Sequence, residues 1–205
     1  MNAPTVYIVD DESAVADSVS LLLRSVGLRT RVFPDARSFL DAYQSALEGC
    51  LVLDVRMPRM SGLELQEELN RRRCTLPVIF MTGHGDVPMA VEAMRAGALD
   101  FLQKPFNDDD LIRRVQKALE HDLQERAALR QHDEIRRRWG ELTPREREVA
   151  QRIVDGQANK VVALEMDISE RTVELHRAHI MQKMQARGIA QLVQMALVVR
   201  DAPPA

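Results

Sequence analysis

Residues 49–62 read GCLVLDVRMPRMSG. A soft and apolar run, Cys50 to Leu53, leads straight into Asp54, and a Met-Pro step and a Ser-Gly follow. A short continuous apolar run suits a strand buried on both faces, which is what a parallel sheet covered by helices requires. Pro58 lacks a backbone donor and biases Met57 away from helical geometry, so the segment behind the aspartate reads as loop. The stretch therefore delivers a carboxylate to the end of a buried strand.

Outward from it, the first 120 residues alternate between two periods. TVYIV (Thr5 to Val9) is a β-branched run ending in Asp10-Asp11, and LRTRVF, PVIFMT and LDFL read as further strands. Between them, Val15, Val19, Leu22, Leu23 and Val26 recur at steps of three and four and predict a helix stopped at Gly27. DARSFLDAYQSAL predicts a helix with Asp35 as N-cap. GLELQEELNRRR, VPMAVEAMRAG and NDDDLIRRVQKALEHDL predict three more, the last with an acidic first turn that suits the helix dipole. These β–α units predict an α/β domain with a doubly wound five-stranded parallel sheet, whose ligands bind beyond the carboxyl ends of the strands.

EHDLQERAALRQHDEIRRRW (Glu120 to Trp139) has no Gly or Pro and predicts a charged helical linker. Leu119, Leu123, Leu129 and Ile135 form a partial apolar stripe, which leaves a coiled coil open. Beyond it the pattern is helical only. Thr143, Pro144 and Glu146 make a capping box with Pro at the first helical position, and that helix stops at Gly156. NKVVALEMDI, SERTVELHRAHIMQKM (Ser169 as cap) and GIAQLVQMALVVR complete an all-α four-helix domain, with DAPPA as a frayed tail.

Charge divides along the same line. Residues 1–120 carry 14 Lys+Arg against 18 Asp+Glu, and residues 121–205 carry 14 against 13. The whole-chain net of -3 excludes a strongly basic chain and a disordered acidic one. Cys50 and Cys74 show no metal spacing and no disulfide framework, which points to a reducing cytoplasm. MNAPTVYIVDDE lacks the features of a signal peptide, and no apolar run approaches the roughly 18 residues of a membrane span.

In a parallel sheet the strand ends share one edge. Asp10, Asp11, Asp54, Thr82 and Lys104 then converge there. Clustered carboxylates repel, and a hard divalent cation relieves them. Three carboxylates, a hydroxyl and an ammonium make a phosphoryl-transfer site, with Asp54 as nucleophile and Lys104 neutralising the transferred group. Another reading uses the same residues, an aspartyl-phosphate hydrolase acting on small substrates, but the chain lacks a substrate cap and such an enzyme has no use for the helices after residue 140.

VYIVDDE, LVLDVRMPRMSGLEL and PVIFMTGHGDVPMAVEAMRAGALDFLQKPF resemble the receiver domain of two-component response regulators. The resemblance implies a flavodoxin-like strand order and Mg²⁺ (or Mn²⁺) held by Asp10, Asp11, Asp54 and the backbone carbonyl of Arg56. It implies phosphorylation of Asp54 by a histidine kinase, contact of Lys104 with the phosphoryl group, and Thr82 and Phe101 as switch residues. Lys104-Pro105 is then a cis bond. Arg56 and His84 flank the side from which a phosphoryl donor approaches and are candidates to tune hydrolysis. At most the domain removes its own phosphoryl group; it is no enzyme otherwise.

In the helical half, Ala163, Leu164, Ile168, Val173 and Ile180 read as the seam of a helix-turn-helix. Residues 171–187 carry four Lys+Arg against one acid, a recognition-helix profile. The stretch from Leu142 to Leu197 resembles the LuxR-type DNA-binding domain of the NarL/FixJ response regulators. That resemblance puts the DNA-contacting register on Lys160, Arg171, Thr172, Glu174, Leu175, Arg177 and Ala178, and Lys183 joins Lys160 as an expected phosphate contact. The expected plan is a receiver at 1–122, a helical linker at 123–139 and a DNA-binding domain at 140–200, and the alternative reading is a constitutive DNA-binding regulator with a vestigial receiver. The expected partners are a sensor kinase, promoter DNA, RNA polymerase and a second copy through helix 4, strand 5 and helix 5.

Overall fold

The computed structural model describes residues 4–43, 47–83 and 87–200. The chain divides into two compact units, Met1–Glu125 and Arg126–Ala205. His84 and the tail 201–205 lie outside the described residues.

The first unit alternates strictly. Its strands are β1 (Thr5–Val9), β2 (Arg29–Phe33), β3 (Gly49–Asp54), β4 (Val78–Thr82) and β5 (Asp100–Gln103). Its helices are α1 (Ser13–Ser25), α2 (Ala36–Ala42), α3 (Gly62–Arg71), α4 (Val87–Arg95) and α5 (Asp108–Gly140), which runs on past Glu125. All pairings are parallel and the order is β2-β1-β3-β4-β5, the flavodoxin-like arrangement. Side chains alternate across the sheet as the period of two demands. Tyr7, Val9, Leu51, Leu53, Val78 and Phe80 pack with Phe39, Leu65 and Leu69 on one face. Val6, Ile8, Cys50, Val52, Ile79 and Met81 pack with Val19, Leu23, Leu111 and Val115 on the other. Each large side chain so buried contributes roughly 1.5–3 kcal/mol.

The glycines bracketing the decisive stretch are fixed by packing. Gly49 has φ +134°, and a Cβ there would stand 1.9 Å from the Thr5 carbonyl oxygen. A Cβ on Gly62 would stand 2.2 Å from the Asp54 carbonyl oxygen. The Gly62 N–H donates to the Val55 carbonyl at 2.9 Å, which turns the loop sharply back beneath β3. Ser61 and Glu64 then cap α3 reciprocally.

Two boundaries differ from expectation. Helix α2 ends at Ala42 with Tyr43 extended, short of the predicted stretch to Leu47, and residues 44–46 lie outside the described residues. Asp122 is 3% exposed, and its Oδ2 accepts the Gly49 N–H at 2.9 Å, so the first unit reaches past residue 122. Of the leucine stripe, Leu119 packs on the first unit's core, Ile135 is buried in the second unit's, and Leu123 and Leu129 are exposed. The expected linker is thus shared between the two units.

The second unit adds α6 (Pro144–Val154), α7 (Asn159–Met166), α8 (Glu170–Met184) and α9 (Ile189–Arg200). Thr143 and Glu146 form the expected capping box. Between α7 and α8, Asp167 turns the chain at φ +52° and the Ser169 hydroxyl accepts the Thr172 N–H at 3.1 Å. The core holds Val149, Ile153, Val162, Ala163, Met166, Val173, Ile180, Met184 and Leu192. Leu164, expected in the seam, is 83% exposed. The buried face of α7 is Val162, Ala163 and Met166, and one residue beyond Ala163 the helix turns to solvent.

No helix among the described residues is long and apolar enough to cross a membrane. Both cysteines are free.

Candidate functional site

The sheet register assembles the carboxylate site. Val9 pairs with Leu53 and Val9 also pairs with Phe33, so Asp10 and Asp54 leave the sheet side by side. Thr82 pairs with Gln103, which places Lys104 one step beyond the same edge. The Lys104 N–H donates to the Thr82 carbonyl at 2.7 Å, and the Lys104-Pro105 bond is cis.

The Lys104 ammonium sits between two carboxylates, 2.8 Å from Asp10 Oδ2 and 2.8 Å from Asp54 Oδ1. Asp54 Oδ2 accepts the Arg56 N–H at 2.7 Å, and Asp10 Oδ1 accepts the Glu12 N–H at 2.9 Å. Asp10 is 1% and Asp54 is 6% exposed, whereas Asp11 and the Arg56 side chain face solvent. Burial pushes the Asp54 carboxyl above the ordinary aspartate range. Lys104 pulls it back, and the charge on Asp10 adds to the rise. Burial also disfavours the charge on Lys104, but its hydrogen bonds to Asp10 and Asp54 outweigh this and raise its pKa. Thr82 is buried beside the site at the end of β4, and Phe101 is half-buried against the core on the α4 side.

Asp10, Asp11 and Asp54 against Lys104 leave two negative charges uncompensated. The donors are all oxygen, which fits a hard divalent cation. Among the described residues no three His, Cys, Asp or Glu side chains stand in metal-holding geometry.

In the second unit Lys160, Arg171, Glu174, Leu175 and Ala178 are exposed, Leu175 by 56%. Thr172 is half-buried, its Oγ1 2.8 Å from the Ser169 Oγ. Arg177 is half-buried, and its Nη1 donates to Asn159 Oδ1 at 2.8 Å. Lys183, expected on a phosphate, makes polar contacts within its own unit. Its ammonium donates to Glu146 Oε2 at 2.6 Å and to the Glu141 carbonyl at 3.4 Å. Glu146 is buried, so the lysine serves an internal ion pair between the start of α6 and the end of α8. Burial opposes the charge on Glu146, but the hydrogen bonds from Lys183 and Thr143 hold its pKa below the ordinary glutamate value.

The two units match two family models. Residues 6–116 match the response regulator receiver domain, and residues 140–196 match the luxR family of bacterial regulatory proteins. The chain belongs to the response regulators. It is 43% identical over 192 residues to the transcriptional regulatory protein FixJ of Bradyrhizobium diazoefficiens, covering 94% of both chains. Its fold is similar to that of the response regulator StyR, at a TM-score of 0.86 and 42% identity, over 96% of this chain and 99% of that one. Full-length FixJ from B. japonicum gives a TM-score of 0.60 at 41% identity, over 99% and 100%. This response regulator is therefore a transcription regulator with a receiver and a DNA-binding domain.

Three polar contacts escaped the sequence reading. Asp122 carries no motif, because its partner is a backbone N–H 73 residues away. Glu146 reads as a helix cap, and its second partner, Lys183, lies 37 residues on. Asn159 reads only as a helix start. The period of α8 places Arg177 and Lys183 on a rim between buried and exposed faces, and that is the one signal that could have raised the question of partners.

Proposed function

We propose that Asp54 accepts a phosphoryl group from the phosphohistidine of a sensor kinase and that the modified chain binds promoter DNA as a dimer. The observation that carries the proposal is the Asp54 carboxylate, buried at a strand end with Lys104 2.8 Å away and a second carboxylate on the same ammonium. The P–N bond of the donor breaks as a P–O bond to a carboxylate oxygen of Asp54 forms. Lys104 neutralises the added charge. Asp10, Asp11, Asp54 and the Arg56 carbonyl would hold Mg²⁺, which would supply positive charge to the phosphoryl oxygens.

The new charge draws the Thr82 hydroxyl toward it. Phe101, half-buried now, turns inward to fill the space vacated beneath α4. That remodels the face of α4, β5 and α5, on which two copies pair. A bias of about 1–3 kcal/mol between the two states suffices for such control. In the helical unit, exposed Lys160 meets phosphates, and Arg171, Thr172, Glu174, Leu175 and Arg177 face the major groove. Leu175 suits a thymine methyl group, and Glu174 suits a cytosine amino group. RNA polymerase is the expected downstream partner and the cytoplasm the expected compartment. The domain plan is a receiver to about residue 125, a helical stretch to 139 and a DNA-binding domain from 140 to 200.

Intact mass after incubation with acetyl phosphate and Mg²⁺ tests the acceptor. Wild type gains one phosphoryl group and Asp54→Asn gains none. Labelling of both, or of neither under conditions that label another receiver, overturns the proposal. DNA binding equal with and without acetyl phosphate would instead favour the constitutive regulator.

A further inference from the structure

Three cations on α8 have three different environments. Arg171 is exposed, Lys183 is bound to a carboxylate, and Arg177 is held by a neutral amide. The Arg177–Asn159 bond of 2.8 Å ties the first turn of α7 to the middle of α8, across 18 residues of sequence.

We infer that Asn159 positions the Arg177 guanidinium for DNA and thereby sets sequence specificity; the inference rests on the DNA-binding reading above. Asn159 is the first residue of α7, and the N-cap Ala158 makes no side-chain cap, so the Asn159 Oδ1 is spent on Arg177 and not on the helix. The bond uses one of five guanidinium N–H donors and leaves the full positive charge. A carboxylate at 159 would quench that charge, as Glu146 does for Lys183 at 2.6 Å. A free arginine loses rotamer freedom when it docks, and one already held loses less. Preorganisation favours the base edges that the fixed fork can meet. It does little for non-specific binding, which depends on charge alone.

The test uses the full chain. A duplex selected from a random pool by the acetyl-phosphate-treated protein is compared with its scrambled version by fluorescence anisotropy at one salt concentration. Asn159→Ala should weaken binding to the selected duplex by about three- to tenfold, the cost of ordering one long side chain. Binding to the scrambled duplex should stay within about twofold on the same grounds. In an Arg177→Ala background Asn159→Ala should have no further effect. Equal losses on both duplexes, no loss on either, or the same loss without Arg177 overturns the inference and leaves Asn159 a structural tie. Asn159→Asp keeps the shape and adds charge, so it should weaken both duplexes and lower the salt slope by about 0.9. Should Asn159→Ala fail to fold, that slope decides, and an unchanged slope overturns the inference. A wild-type chain that enriches no sequence from the pool refutes the DNA-binding reading itself.

Discussion

Lys183→Met separates a structural lysine from a DNA-contacting one. Its ammonium stands 2.6 Å from Glu146, whose side chain is 5% exposed, while the lysine side chain is 35% exposed. A hydrogen bond between charged groups contributes roughly 1.5–3 kcal/mol. Partial exposure of the lysine lets water screen the pair and reduces that to about 1–2 kcal/mol. For a unit this small the melting midpoint should fall by roughly 5–10 °C. The chain's single tryptophan, Trp139, packs against the core of the second unit, so its fluorescence reports that unit's unfolding.

The pH dependence follows from Glu146. Its pKa is lowered on folding from the ordinary 4.5, so its ion pair stabilises above that value and is lost as pH falls through the folded value. The gap in midpoint between wild type and Lys183→Met should therefore be full at neutral pH and close below pH 4.5. Glu146→Gln keeps the reciprocal cap with Thr143 but loses the ion pair, so it should resemble Lys183→Met at neutral pH. DNA affinity measured against salt completes the experiment. A lysine on a phosphate contributes about 0.9 to the slope of log K against log salt, and Lys183→Met should leave that slope unchanged. A slope lower by about 0.9 with an unmoved Trp139 transition would refute the reasoning and return Lys183 to the DNA surface.

Gly62→Ala should cost about 1–3 kcal/mol in urea unfolding followed by circular dichroism, because its Cβ would stand 2.2 Å from a backbone oxygen of Asp54. The same variant should take up phosphate from acetyl phosphate more slowly, since the clash falls on the acceptor's own backbone. Asp122→Ala should cost about 1–3 kcal/mol by stranding the Gly49 N–H, read by the same unfolding assay. Arg171→Ala should lower the salt slope of DNA binding by about 0.9 or relax base preference at one position of the site. Binding curves against salt and a repeated duplex selection distinguish these.

The receiver was legible because each cue was local. Cys50–Leu53 ending in Asp54 marks a central strand, Asp35 and Ser61 mark helix starts, and the strand-end residues need only a parallel sheet to meet. The carboxylate site follows from register, since pairing Val9 with Leu53 suffices to bring Asp10 to Asp54. Side-chain partners distant in sequence were not legible. Lys183 has the charge and helical position of a phosphate contact, and only packing shows it turned toward Glu146. Leu164 fits an apolar seam by type and misses it by about a hundred degrees around α7. The helical linker was read correctly as helix, but its division between two cores depends on what Asp122 and Ile135 touch.

The most direct test of the account is phosphorylation-dependent DNA binding by the full chain, wild type beside Asp54→Asn, on one selected duplex with and without acetyl phosphate and Mg²⁺. The account predicts that acetyl phosphate tightens wild-type binding by about 5–150-fold, the range of a 1–3 kcal/mol coupling, and leaves Asp54→Asn unmoved. Equal tightening in both, or tight binding by wild type before any phosphoryl group is added, would contradict it.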